Sequence, residues 1–213
     1  MGIECQKHNN KLKKIVYCSS SCVYGDQTVM KESDSVIPFE TPYAINKYVG
    51  ELYCKYYNSM YQIPVVSLRI FNSFGPGEAS GLYRNVIPNF IRRALNGQEL
   101  VITGSGDETR DFCYVDNTVD LLQLACSSKY RNSEVFNGGS GVETKIIDVA
   151  KLIIKATNSK SQISYVSARS WDHVKKRKAN IDLACSKLNY KPYIDLESQI
   201  KKTVEWALEN DGH

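Results

Sequence analysis

The chain has 213 residues, 42% of them hydrophobic and 23% charged, the composition of an ordinary globular protein of one or two domains. Its formal net charge of +4 is mild and spread along the chain, which argues against nucleic acid and suits an anionic small molecule, and no apolar run approaches the roughly 20 residues that span a bilayer. Seven cysteines without a Cys-x-x-Cys pair and three scattered histidines lack metal-ligand spacing, so reduced thiols, no metal site and a cytoplasmic location are expected.

In chain order, the first strong element is a short β-branched run over residues 14–19, too short for a helix and followed by Ser19-Ser20-Ser21. Residues 26–40 read as a polar surface loop. Thr41-Pro42 is a sound N-cap and N1 pair for a helix through about Met60. The run Val65 to Phe71 is the next strand, so strand, helix and strand with short connections give a parallel βαβ unit. Residues 85–96 are amphipathic and stop at Gly97, the expected C′ residue. A short strand over 99–102, a turn at Gly104-Ser105-Gly106-Asp107 and a strand over 111–115 follow. Asp116 or Asn117 is expected to cap a helix to Ser127, and Val135-Phe136-Asn137 to form a strand ending at Gly138-Gly139. Thr144 is expected to cap a helix to Ala156; residues 162–166 form a strand, and 181–188 and 196–210 the last helices. The fold class is therefore α/β with open parallel-sheet character in its first third.

The chemistry concentrates between Ser19 and Lys47. Hydroxyls at the carboxyl end of a parallel strand stand where open α/β sheets bind ligands. Tyr43 and Lys47 are four residues apart on one helix and share a face. A free phenol ionises near pH 10, so a tyrosine serving as general acid–base needs a neighbouring cation, and a lysine one turn away supplies one. Alone, Tyr-x-x-x-Lys is a weak motif, equally the mark of a packed tyrosine and a solvated lysine.

Ser19-Ser20-Ser21-Cys22-Val23-Tyr24-Gly25, then Pro42-Tyr43-Ala44-Ile45-Asn46-Lys47, then Leu68-Arg69-Ile70-Phe71-Asn72-Ser73-Phe74-Gly75-Pro76-Gly77 resemble the extended short-chain dehydrogenase/reductase family. The nearest branch is the NAD-dependent nucleotide-sugar epimerases and dehydratases. Thr109-Arg110-Asp111-Phe112-Cys113-Tyr114-Val115-Asp116 and Lys178-Ala179-Asn180-Ile181-Asp182 are similar to later signatures of that family, in family order. The resemblance implies the remaining half of a Rossmann-type NAD-binding sheet over 1–76, with 116–140 returning to it, and a sugar-nucleotide subdomain over 77–115 and 141–213. It implies Tyr43 as the acid–base residue, Lys47 as its partner and a ribose ligand, and Ser20 as the hydroxyl that guides the sugar. Ser19, Tyr43, Lys47 and Phe71 would meet the cofactor NAD. Asn72, Asn85, Arg110 and Arg169 would join Ser20 in holding the substrate, the arginines at its diphosphate, whose oxygens fit a guanidinium fork. Arg110 beside Asp111 equally fits a structural ion pair. Arg169 is followed by Ser-Trp-Asp where the family often has Pro-Gly-Asp. The basic run Lys175-Lys176-Arg177-Lys178 reads as a solvated face.

Dehydratases of the hexose type usually carry Asp-Glu directly after the active-site hydroxyl, where this chain has Ser21-Cys22. The resemblance therefore implies a 4-epimerase of UDP-sugars working through a 4-keto intermediate, with UDP-glucuronate decarboxylase, dehydratase and a non-catalytic sugar-nucleotide-binding remnant as alternatives. A homodimer through the helix 42–60 is also implied. No Gly-x-x-Gly-x-x-Gly fingerprint occurs in the chain. On the family pattern, roughly a hundred residues with the pyrophosphate cradle are missing, and the chain alone is expected not to turn over.

Overall fold

The computed structural model describes residues 12–81, 85–168 and 175–210. Its first elements are β1 (Ile15–Ser20), β2 (Val29–Met30), α1 (Pro42–Tyr61), β3 (Val65–Ile70), β4 (Ser73–Phe74), α2 (Val86–Leu95), β5 (Leu100–Thr103), β6 (Thr109–Asp111) and β7 (Cys113–Tyr114). There follow α3 (Val115–Ser127), β8 (Asn132–Gly138), β9 (Glu143–Lys145), α4 (Ile146–Ala156), β10 (Ile163–Val166), β11 (Lys178–Ala179), α5 (Asp182–Leu188) and α6 (Leu196–Asn210). Short 3-10 turns occupy Ser21–Tyr24 and Pro38–Glu40. None of the described helices is long and apolar enough to cross a membrane.

The expected parallel unit is present. β1, β3 and β8 form a parallel sheet in the order β1-β3-β8, with Ile15 opposite Val65 and Ser20 opposite Ile70. β3 is the central strand, and the pleat sends alternate residues to opposite faces. Val66 and Leu68 pack with Leu121 and Ala125 of α3, Phe136 of β8 and Leu188 of α5. Ser67 and Arg69, on the other parity, face α1. That helix begins where the Thr41 hydroxyl accepts from the Ala44 N–H at 3.1 Å and stops at the left-handed Gln62.

A second core joins α2, α4, α6 and β5 around Phe90, Ile91, Leu100, Ile153 and Val204. It forms from strongly amphipathic helices whose apolar positions recur at helical spacing. The segment around α5 was expected here, but Ala184, Leu188 and Tyr190 pack on the parallel sheet instead, because their apolar side meets Val66 and Phe136. The strand expected over 111–115 is two strands. β6 pairs antiparallel with β9, and β7 pairs parallel with β4. Helix α3 starts at Val115, so neither Asp116 nor Asn117 caps it; the Asn117 amide instead bonds the backbone of Tyr193. Thr144 lies in β9, and α4 begins two residues later.

The two cores are clasped by Asp111, which is fully buried. One oxygen of its carboxylate accepts from the Ser140 N–H and hydroxyl, both at 2.7 Å, and the other from the Gly141 and Ala179 N–H groups, both at 3.0 Å. Gly139 lets these segments meet: a Cβ there would lie 2.6 Å from the Ala179 Cβ and 2.9 Å from the carboxylate.

Candidate active site

β1 delivers its two serines to opposite faces. The Ser19 hydroxyl donates to Glu51 Oε1 on α1 at 2.5 Å, and both residues are buried. Ser20 ends the strand in extended conformation, and its Oγ accepts from the Cys22 N–H at 3.2 Å, capping the following turn. Tyr24 closes that turn, donating its hydroxyl to Asn137 Oδ1 at 2.7 Å beneath the Arg69 guanidinium, 4.6 Å from the ring centroid. Burial pushes the Tyr24 phenol up to about 12, with Arg69 opposing, so this tyrosine stays protonated as a donor.

α1 supplies the other half. Thr41 caps it and Pro42 fixes its first turn, which puts Tyr43 at the sheet's carboxyl end with 54% of its surface exposed. One turn on, Lys47 Nζ donates to the Cys18 carbonyl at 2.9 Å and stands 5.5 Å from the Tyr43 ring centroid and 5.8 Å from that of Tyr17. A further turn brings Glu51, whose carboxylate takes Arg69 Nε at 3.0 Å and Nη2 at 2.8 Å in a buried fork. Glu51 and Arg69 were not foreseen, although an arginine inside the apolar strand Val65 to Phe71 is itself a signal, because a buried charge needs a partner. Ser19, Ser20, Tyr43 and Lys47 are thus gathered at one strand end, fixed by a buried ion pair.

The remaining candidates lie farther out. Phe71 is completely buried among Val23, Tyr24, Met30 and Ala179, so it lines no open pocket. Asn72 is half-buried; its side-chain amide donates to the Asp111 carbonyl at 3.2 Å and its own carbonyl accepts from the Cys113 N–H at 3.0 Å. Asn85 occupies the N-cap position of α2 without a capping bond, and its amide donates to Glu78 Oε1 at 2.8 Å and the Ser73 carbonyl at 3.3 Å. Arg110 Nη1 donates to the Thr109 carbonyl at 2.9 Å, while the Asp111 carboxylate is occupied by the clasp. Arg169 lies outside the described residues. The basic run 175–178 is not uniformly solvated: Lys175 and Lys176 are exposed, but Arg177 is buried, its Nη1 3.5 Å from Cys22 Sγ.

Comparison with known proteins adds an independent line. A model of the NAD dependent epimerase/dehydratase family matches residues 4–139. The chain is 34% identical over 212 residues to a UDP-N-acetyl-alpha-D-glucosaminuronate decarboxylase of Bacillus cytotoxicus, covering 93% of this chain and 65% of the relative. It is 34% identical over 203 residues to a putative UDP-glucose 4-epimerase of Methanocaldococcus jannaschii, covering 94% and 65%. Among solved structures, a UDP-N-acetylglucosamine 4-epimerase from Methanobrevibacter ruminantium superposes with a TM-score of 0.89 at 36% identity, covering 97% of this chain and 66% of that one. The chain therefore spans 65% of the length of these two curated relatives.

Proposed function

The chain belongs to the NAD dependent epimerase/dehydratase family, and on that premise we propose that it carries the acid–base half of a cytoplasmic, NAD-dependent nucleotide-sugar 4-epimerase that takes a UDP-sugar. The observation that carries this reading is the tethering of Lys47 Nζ to the Cys18 carbonyl, 5.5 Å from the Tyr43 ring and two residues before Ser20. The Ser20 hydroxyl holds the sugar's 4-hydroxyl, Tyr43 takes its proton, and Lys47 supplies the positive charge that the phenolate needs. Asn72, Asn85, Arg110 and Arg169 hold the rest of the nucleotide sugar. Lys47, Ser19 and Tyr43 would hold the nicotinamide end of NAD, which would supply a reversible hydride acceptor for the sugar carbon.

The residues present fit the nicotinamide end of that cofactor. Lys47 has three N–H donors and uses one on Cys18, which leaves donors for ribose hydroxyls beside Ser19 and Tyr43. Phe71 backs the site from within the core. A dinucleotide's pyrophosphate needs a glycine-rich turn for close backbone approach, and no Gly-x-x-Gly-x-x-Gly occurs in the 213 residues. Ser21-Cys22 offers no carboxyl pair for eliminating water, so dehydration is disfavoured. Decarboxylation of a UDP-glucuronate is the second reading, because a 4-keto-6-carboxylate is a β-keto acid that loses CO2 without a further base.

Joining this chain to the part of the Methanocaldococcus relative that it does not cover tests the assignment. With NAD+ and UDP-glucose the chimera is expected to form UDP-galactose, and Tyr43→Phe to slow it about 10²–10⁴-fold. The chain alone is expected to show no turnover. A 4-keto-6-deoxy product from the chimera would overturn the epimerase assignment. The proposal extends to a homodimer through the exposed α1 positions Ile45, Val49, Leu52, Tyr53, Tyr56 and Met60.

A further inference from the structure

A lysine side chain is a flexible stem, and its ammonium goes where neighbouring groups hold it. Among the described residues, Lys47 Nζ is held at the Cys18 carbonyl, 2.9 Å away, and over two tyrosine rings. The centroid of Tyr43 is 5.5 Å from it and that of Tyr17 is 5.8 Å. Both rings lie within the roughly 6 Å over which a cation is drawn to an aromatic face. Tyr43 is the proton carrier of the reading above. Tyr17 has no part in that reading, yet it meets the same ammonium.

Tyr17 shares the strand parity of Ser19 and so faces α1. Its hydroxyl donates to the Lys47 carbonyl at 3.2 Å, which ties the ring to the backbone of the residue whose ammonium it faces. Gly50 makes room for this: a Cβ there would overlap the Tyr17 hydroxyl and ring. Burial, and after it the neighbouring Cys54 and Glu51, hold the Tyr17 phenol above its ordinary value. The hydroxyl therefore stays a donor, and Tyr17 does not become a second anion competing for the ammonium. Tyr43, by contrast, is more than half exposed at the open strand end. We propose that Tyr17 is a positioning residue whose ring, tied to the Lys47 carbonyl, keeps the Lys47 ammonium at the strand end beside Tyr43. This deepens the acid–base reading given above and rests on it. Without the ring the ammonium turns to water, and a Tyr43 phenolate loses part of the charge that supports it.

Proton NMR of the whole chain tests the placement, because protons over an aromatic face are shifted upfield. The Lys47 ε-methylene protons, identified by their loss in Lys47→Arg, are expected upfield of those of Lys55, an exposed lysine two turns further along α1. Two rings share that displacement, so Tyr17→Leu is expected to remove about half of it, and Tyr17→Phe to keep most of it. The Lys14 signals, from an ammonium held by the Ala125 and Ser128 carbonyls, are expected to stay unmoved. In the chimera, Tyr17→Leu is expected to lower kcat about three- to tenfold, the worth of one cation–ring contact. KM for UDP-glucose is expected to be unchanged, and Tyr17→Phe to retain most of the rate. Coincident Lys47 and Lys55 signals in the unaltered chain overturn the proposal, and that comparison needs no variant to fold. Lys14 signals that move with those of Lys47 mark a merely structural role and also overturn it. So does a Tyr17→Phe chimera as slow as Tyr43→Phe, which would put the Tyr17 hydroxyl in the chemistry. Turnover that survives Tyr43→Phe sinks the acid–base reading and this one with it; turnover that needs Tyr43 but is indifferent to Tyr17→Leu sinks Tyr17 alone.

Discussion

The Glu51 carboxylate accepts from Ser19 on β1 and Arg69 on β3 while riding on the helix of Tyr43 and Lys47, so one side chain sets how the proposed acid–base pair sits over the strand ends. Glu51→Ala would strand the Arg69 charge in the interior, and removing one partner of a buried pair costs about 3–5 kcal/mol. Urea unfolding of that variant should show such a loss, and a change below about 1 kcal/mol, the worth of an exposed pair, would contradict the arrangement. Glu108 has the opposite sensitivity. Burial alone would raise its carboxyl, but its own N–H and those of Ser105 and Gly106 outweigh that and hold it below the ordinary 4.5. A depressed carboxyl contributes stability above its unfolded value, and that contribution is lost as pH falls through the folded value. Melting temperatures from pH 6 down to about pH 3, below the unfolded carboxyl value, should therefore fall less steeply in Glu108→Gln than in the unaltered chain. Tyr43 and Lys47 were legible because helical spacing alone puts them on one face. Arg177 was not, since a run of basic residues says nothing about which of them the fold encloses.

At the level of elements, α1 and β1 approach closely where Gly50 meets Tyr17. A Cβ on residue 50 would overlap the Tyr17 hydroxyl and ring, and that hydroxyl donates to the Lys47 carbonyl at 3.2 Å. Alanine favours a helix over glycine by about 1 kcal/mol, so an open helix face would gain from Gly50→Ala. Here the substitution should lower the melting temperature, and Tyr17→Ala added to it should recover part of the loss. A more stable single variant would show that the ring moves aside freely. The βαβ unit was readable because strand, cap and helix signals agree with one another. The division into β6 and β7 was not. Alternation across Asp111 to Val115 reads as one strand, while the partner of β6 is Glu143-Thr144-Lys145, which has no apolar pattern and lies 34 residues away at Thr109–Glu143.

For the whole molecule, β1 is a sheet edge with no second strand beside it among the described residues. α1 also turns a stripe from Ile45 to Met60 outward at helical spacing. Unpaired parallel edges and apolar stripes both favour association. Sedimentation of the chain should show a dimer that Leu52→Glu converts to monomer; an unaltered chain already monomeric would remove the α1 interface from the proposal. Sequence order likewise does not reveal that α5, a late helix, packs back on a sheet made early.

That return has a temporal side. Arg177 reaches the turn at Cys22 across 155 residues, and the Asp111 clasp waits for the N–H of Ala179. At about 5–20 residues per second, a ribosome exposes the Ser20 turn on the order of ten seconds before the segment that backs it emerges. The strand end proposed to bear the chemistry thus emerges well before its support. Nascent chains stalled before residue 175 should be cut by protease near Tyr24, and chains stalled well past residue 190 should be protected there.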